Sequence, residues 1–349
     1  MRRARLVSLA AVAAVCLVVP GVAFGSGRGA FPDASGAVWS NACEWTAFGK
    51  IDPIVNYGGT SMHMHTFVGA GNPSSTMQPE DLQDQVAHPT SCNGPIMAGI
   101  TDDSAYWVPS LFAADLTPNP NGIKPNGGLI YYRNAGVDPQ SIHAFPHQLV
   151  MIAGDAAATH DQPDEQVVWS CVSPRHDSDQ HELNFSPEIP QTCPMQNAHG
   201  DPYTLRLVVY FPNCINKNGS VDPHTGQYKP DTKHYATIDH SIPGEEYPAH
   251  CTTPGEYPIP QLQVGFRWPL NAAEGLNPDP TDSALWNLRP MRLASDNMPL
   301  DGGGQSGIHG MPAHVDFMSG WTQHDLDYLV DNCFTPPHNC GIITDYDDN

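Results

Sequence analysis

Proline and glycine are spread so densely along this 349-residue chain, 35 of one and 31 of the other, that a long helix has no room to form. Proline removes a backbone donor and clashes with the preceding turn, and glycine in a helix interior costs chain entropy. Helical bundles and coiled coils are thereby excluded. Short apolar stretches remain between the breakers, at 129–132, 148–153, 166–172, 205–211 and 261–268. Their Val, Ile, Tyr and Trp content reads as strand. The 205–211 run is almost continuously apolar, as expected of a strand buried on both faces. The predicted fold is mainly β: a single large β-sandwich or jelly-roll-like domain with long loops, few short helices and disulfides.

One helix is well signalled. Thr322 precedes an apolar face of Leu326, Leu329 and Val330, Asp325 stands three residues after the cap, and Trp321 can staple onto Leu326, which predicts a helix from Gln323 to Cys333. A second, shorter helix is predicted to begin at Pro79, where Pro-Glu-Asp opens a first turn.

Arg2, Arg3 and Arg5 precede an apolar or small run at 6–19 that Pro20 ends. This is the pattern of a signal peptide, with cleavage near Ala23 to Gly25, and the run is shorter than the ~20 residues of a membrane span. The organisation read from the chain is a signal peptide at 1–24, a lead-in at 25–39 and one catalytic or binding domain at 40–349. Removing the leader takes away Cys16 and leaves Cys43, Cys92, Cys171, Cys193, Cys214, Cys251, Cys333 and Cys340, an even set that suggests four disulfides in an exported chain. Closeness along the chain pairs them as neighbours: Cys43 with Cys92, Cys171 with Cys193, Cys214 with Cys251, and Cys333 with Cys340. Asn184-Phe-Ser186 and Asn218-Gly-Ser220 would be glycan acceptors in a eukaryotic host, although the Arg- and Ala-rich leader looks equally bacterial.

Asp and Glu outnumber Lys and Arg by 37 to 15, a net charge of -22. Nucleic acid and anionic membranes are poor partners for such a surface. No P-loop, GxGxxG, HExxH or GxSxG is present, which argues against nucleotide enzymes and conventional serine hydrolases. The Gly302-Gly303-Gly304 run reads as a flexible loop that can lie over a site.

The most specific local feature is Ser61-Met62-His63-Met64-His65-Thr66-Phe67. In an extended strand His63 and His65 share a face and Met62 and Met64 take the other, where they read as core. His314-Val315-Asp316-Phe317 is a second alternating pair. Together His63, His65, His314 and Asp316 would make a three-imidazole, one-carboxylate set for one divalent ion, Zn, Mn or Fe. The alternative is that these histidines are hydrogen-bonded polar groups with no metal. His234 and Asp103 complete the candidate catalytic set, and Asp52, Asp102 and Asp296 are further carboxylates in Gly-, Pro- or aromatic-flanked segments. Tyr106-Trp107 beside Asp102-Asp103 suits a sugar platform or the core.

Taken in order, Asp52-Pro53, Ser61-x-His63-x-His65-Thr66-Phe67-x-Gly69, Cys92, Asp103 and Tyr106-Trp107-x-Pro109-x-Leu111 resemble a family of secreted proteins known as domain of unknown function nineteen-ninety-six. The likeness continues through 128–132, Cys193-Pro194, Leu205-Arg206, Phe211-Pro212-Asn213-Cys214, His234-x-Ala236, Cys251 and His314-x-Asp316-Phe317-x-x-Gly320-Trp321, roughly residues 40 to 335. It implies export and single-domain extent, in proteins of fungi and bacteria sometimes joined to carbohydrate-binding modules, and carries no settled activity. One departure is Tyr257-Pro258, where the family resemblance leads one to expect His-Pro.

The resulting expectation is a secreted hydrolase or lyase that cleaves an extracellular polysaccharide. Scarce cations favour a neutral glycan over a polyuronate. The protein is expected to be a monomer without stable membrane insertion once the leader is gone. The competing expectation is a non-catalytic, wall-associated carbohydrate- or metal-binding protein. A third reading, a purely structural histidine network, is also open.

Overall fold

Apolar residues alternate along most of the strands, so each sheet needs a partner for its greasy face, and two antiparallel sheets supply one another. The computed structural model describes residues 38–93, 100–113, 120–163, 166–174, 181–238, 249–296, 309–334 and 340; the leader, most of the lead-in and the Gly302–304 loop lie outside them. All described residues fall in one compact unit, Phe31–Asn349. The larger sheet has seven strands in the order Glu182–Ser186, Val167–Val172, Thr204–Tyr210, Gln261–Pro269, Gly127–Arg133, Val38–Cys43 and Cys92–Asn93. The smaller has five, in the order Trp45–Gly49, His65–Gly69, Ala105–Pro109, His314–Met318 and Val150–Gly154. Mainly β architecture with antiparallel sheets is therefore the fold, and the first strand starts at Val38, inside the segment read as lead-in.

The main core draws on both sheets. Trp39, Ile130, Tyr132, Trp169, Leu207, Val264 and Phe266 of the larger sheet join Val68, Tyr106, Val108, Met151, Val315 and Phe317 of the smaller in one buried cluster. The alternate residues of the smaller sheet point away from it. Phe67, Trp107, Val150 and Met318 form a second cluster with Ile54, Met77 and Leu82, which belong to the irregular segments 50–64 and 70–91 on either side of the strand His65–Gly69. Those segments are thus a lid of chain over the outer face of the smaller sheet. Trp107 is fully buried and stacks on Phe67 at 5.3 Å, so it is core and no sugar platform.

A polar knot sits inside the main core. The buried Asp102 carboxylate accepts from Asn41 Nδ2 at 2.8 Å, Tyr106 OH at 2.6 Å, Tyr132 OH at 3.3 Å and the Ser104 amide at 3.0 Å. Trp321 Nε1 donates to Tyr132 OH at 2.9 Å. Asn41 and Tyr132 belong to the larger sheet and Tyr106 to the smaller, so one carboxylate holds the two in place.

The strands come where the apolar runs put them. Arg206 is the polar exception within the 205–211 run, and it is buried because it pairs with Glu182, which also accepts from Ser170 Oγ at 2.7 Å. The helix is Gln323–Cys333, capped by Thr322, whose hydroxyl accepts from the Asp325 amide and donates to its carboxylate. At Pro79 the expectation fails. Only a single 3₁₀ turn forms, Asp81–Gln83: the Asp81 carboxylate reaches back to the Gln78 amide and caps its start, but the Asp84 carboxylate binds the amides of Val86 and Ala87 and turns the backbone out of helix. All four neighbour disulfides are formed: Cys43–Cys92, Cys171–Cys193, Cys214–Cys251 and Cys333–Cys340. Asn184 takes a positive φ of 56° and donates its amide to Thr192 O at 2.9 Å, and both Asn184 and Asn218 are exposed. Among the described residues no helix is long and apolar enough to cross a membrane.

Asp102→Ala takes the shared acceptor from three buried side-chain donors and the Ser104 amide at once and is expected to cost about 3 kcal/mol of unfolding free energy, with Asp102→Asn losing roughly half of that. Urea unfolding of the three proteins measures both, and an unchanged midpoint in Asp102→Ala would show that the knot adds nothing to stability.

Candidate functional site

Three histidines meet under the lid. His65 opens the strand His65–Gly69 and His314 opens His314–Met318. Between these two strands lies Ala105–Pro109, where Pro109 pairs with His65 and Trp107 with Asp316. Continuing that antiparallel register brings His314 level with Pro109, so both imidazoles rise from one transverse row on the same face. The compact ring of Pro109 leaves the space above it to them. On the far side His314 pairs with Gly154, whose φ is 82° and where a β-carbon would lie only 2.4 Å from Ala313 O.

His63 arrives differently from the prediction. It is not on the strand, because the partner strand ends at Gly49, opposite His65, and the Lys50 carbonyl then accepts the Ser61 amide at 3.0 Å. The 61–64 segment is a bend, yet it folds the His63 ring to 4.4 Å from that of His65 and 5.4 Å from that of His314. One nitrogen from each of the three lies within 4.8 Å of the others. The same bend turns Met62 out, 95% exposed instead of in the core.

The two strand histidines are held by carbonyls. His65 Nδ1 lies 2.8 Å from Ile51 O and His314 Nδ1 lies 3.0 Å from Pro312 O. A carbonyl can only accept, so each Nδ1 carries the hydrogen and each Nε2 keeps a lone pair. Burial holds His63 below the ordinary imidazole range. It lowers His65 well below, helped by His63 and His314, and takes His314 down to about 4. The cluster is therefore three neutral imidazoles at pH 7.

Asp316 sits beside them, its Oδ2 3.7 Å from His314 Nε2. It is 1% exposed, and neither of its oxygens has a hydrogen-bond partner. Burial pushes its carboxyl well above the usual range, Asp52 pushes the same way, and Lys233 opposes them. Asp52 caps the Ile54 and Val55 amides at 3.2 and 3.1 Å. Lys233 donates to Ile152 O at 2.9 Å, on the strand residue paired with Asp316. The lid is fastened from outside, since Gln227 donates to Pro53 O at 2.7 Å and Lys229 to Ile54 O at 3.0 Å.

Of the residues singled out from sequence, His63, His65, His314 and Asp316 come together, with Asp52 within electrostatic reach. His234 does not join them: its ring is turned to Glu256 at 2.7 Å, more than half exposed. Its neighbour Lys233, also exposed, turns to the other side of the strand and bonds Ile152 O at the rim of the cluster. Asp103 does not join either. It lies two residues beyond Ala105, six from Pro109, so about 20 Å along the strand direction separates it from the cluster. Sequence reading missed Lys233 and the carbonyls of Ile51 and Pro312, which no motif marks.

The model of the family described as Domain of unknown function (DUF1996) matches residues 52–321. The chain belongs to the DUF1996 family. No curated protein and no solved structure matches it. The DUF1996 match runs from Asp52 to Trp321 and so contains all six residues of the cluster and its charged surround, leaving the helix outside.

Asp296 holds the approach to His314, accepting from the amides of Leu293 at 2.7 Å and Gly310 at 3.0 Å. Burial pushes it to about 6 from an ordinary 3.8. The folded state is then the more protonated one between those values, so stability falls as pH rises from about 4 to 6. Asp103, also at about 6 through burial, has the same sign. Asp296→Asn is expected to remove a slope of roughly 1.4 kcal/mol per pH unit at its steepest. Unfolding free energies of both proteins across pH 4 to 7 test this, and parallel curves would refute it.

Proposed function

We propose that this chain is a secreted enzyme that hydrolyses an extracellular, neutral polysaccharide, working as a monomer with the His63, His65, His314 and Asp316 cluster as its reaction centre. One observation carries the reading. His63 Nε2, His65 Nε2 and both Asp316 oxygens are buried without a hydrogen-bond partner among the described residues. Buried polar groups are nearly always satisfied, and convergent exceptions mark places where something else completes them. Water beside the imidazole lone pairs has an acceptor for its proton, and the Asp316 carboxyl, which burial pushes toward its protonated form, can give a proton to the leaving oxygen; hydrolysis of a glycosidic bond asks a site for both.

Three further facts favour the substrate and the setting. Acidic residues outnumber basic ones by 37 to 15, which repels polyuronates and sulfated chains. A neutral sugar lacks the carboxylate that acidifies the ring proton removed in an elimination, so hydrolysis is the matching reaction. The basic and apolar leader together with four disulfides supports secretion.

A second reading has one observation in its favour. His65 is 0% and His314 3% exposed, so only the half-buried His63 faces the outside, as in a protein that binds a carbohydrate or an ion and does not turn it over.

Neutral glucans, mannans, xylans and galactans incubated with the purified chain separate the two. Release of reducing ends from at least one is expected. Asp316→Asn and His63→Ala should each lose on the order of 100-fold or more in rate with an unchanged far-ultraviolet circular dichroism spectrum. No product from any neutral glycan, or unaltered rates in both variants, would overturn the enzyme reading.

A further inference from the structure

We infer that His63, His65 and His314 hold one divalent transition-metal ion through imidazole nitrogen, with Asp316 as the carboxylate beside it. The inference deepens the reading of the same cluster as a reaction centre, but it is judged by metal content and spectrum, so either can fail alone.

The geometry comes first. Three imidazole nitrogens lie within 4.8 Å of one another. A tetrahedral ion with nitrogen at 2.0–2.1 Å brings its ligands to roughly 3.3 Å apart. The approach still required is at most about 1.5 Å, and rotation of the rings themselves has to supply part of it, since the two strand histidines are the widest pair, 6.1 Å between centroids.

The tautomers come second. Ile51 O and Pro312 O commit Nδ1 of His65 and His314 to donating, which turns both Nε2 lone pairs toward the same space. This is how metal-ligating histidines are oriented, the other ring nitrogen giving its hydrogen to a carbonyl or carboxylate. Lone pairs converging without a donor between them repel. A cation turns that repulsion into attraction, and the unpartnered Asp316 carboxylate adds the negative charge that a dication needs.

The donors decide the class of ion. Three imidazoles and one carboxylate suit Zn(II), Co(II) or Fe(II), whereas Mg(II) and Ca(II) want oxygen alone. Copper(I) would want thioether, and Met62 points into solvent at 95% exposure. With three protein nitrogens the ion keeps a coordination place that Asp316 or water fills.

The ligands are unequal. His65 and His314 are strand residues locked by carbonyls, and His63 sits on a bend. The pair on the sheet therefore receives the ion and His63 closes over it from the lid.

The test uses the full chain purified without chelator or nickel resin. Metal content is measured, the ion is stripped, and Zn(II), Co(II) and Mg(II) are added back. One ion per chain is expected, with a rise in melting temperature from Zn(II) and none from Mg(II), and intense visible bands from the Co(II) form. His65→Ala and His314→Ala should lose the ion. His63→Ala, on the loop and safe for folding, should bind about 100-fold more weakly, and Asp316→Asn should weaken binding by about 10-fold or more and change the Co(II) spectrum. Absence of metal in the purified chain together with no Zn(II) or Co(II) uptake would overturn the inference, as would uptake of equal affinity in wild type and His63→Ala.

Discussion

A carboxylate that has no access to water must be satisfied by protein donors, and the donors of Asp102 come from both sheets at once. Asn41 and Tyr132 reach it from the seven-stranded sheet and Tyr106 from the five-stranded sheet. Apolar packing alone is non-directional and would let two sheets slide over each other by small amounts. Hydrogen bonds to one buried point do not allow that sliding, because an offset leaves a donor unpaired. The effect carries through the strand to the other face. Tyr106 points inward to Asp102 while Trp107, its neighbour, points outward beneath the lid and pairs with Asp316. Register set on the core side thereby sets the row on which the histidines stand.

The outer face is unusual for a sandwich, since one would expect water there. Residues 50–64 and 70–91 cover it with little regular structure, and their own apolar side chains, Ile54, Met77 and Leu82, complete the packing. Polar groups that would be solvated on an open sheet are shut in. That enclosure is the common cause of the depressed imidazoles, the raised Asp316 and the orphaned atoms. It also explains why Lys233 stands at the rim: the Val150–Gly154 strand is an edge, and its Ile152 carbonyl has room for an ammonium.

Legibility in the sequence divides along physical lines. Features written in local chemistry could be read: the Thr322 cap, the five apolar strands and the disulfides between sequence neighbours. The alternation of His314 and Asp316 could be read as well, because both lie on a regular strand. His63 was placed beside His65 for a reason that does not hold, since the strand ends at His65 and a bend brings the ring back. Met62 was put in the core by the same period-2 assumption. His234 and Asp103 were chosen by residue type, and neither reaches the cluster, because cross-strand register is a property of pairs of segments and leaves no trace in either one. In the sequence Asp102 is one of several carboxylates in flanked segments, and only the convergence of residues 30 or more positions apart in the chain makes it a structural centre.

The strand Cys92–Asn93 is two residues long, ends the larger sheet, and is joined by Cys43–Cys92 to its neighbour. Open sheet edges are templates on which further chains can add strands, the first step toward fibrils. Here the last rung is covalently fastened and offers an incoming chain almost no ladder to extend. A chain adding at the Ala42 and Cys43 rungs would have to displace a strand that its own disulfide does not let go.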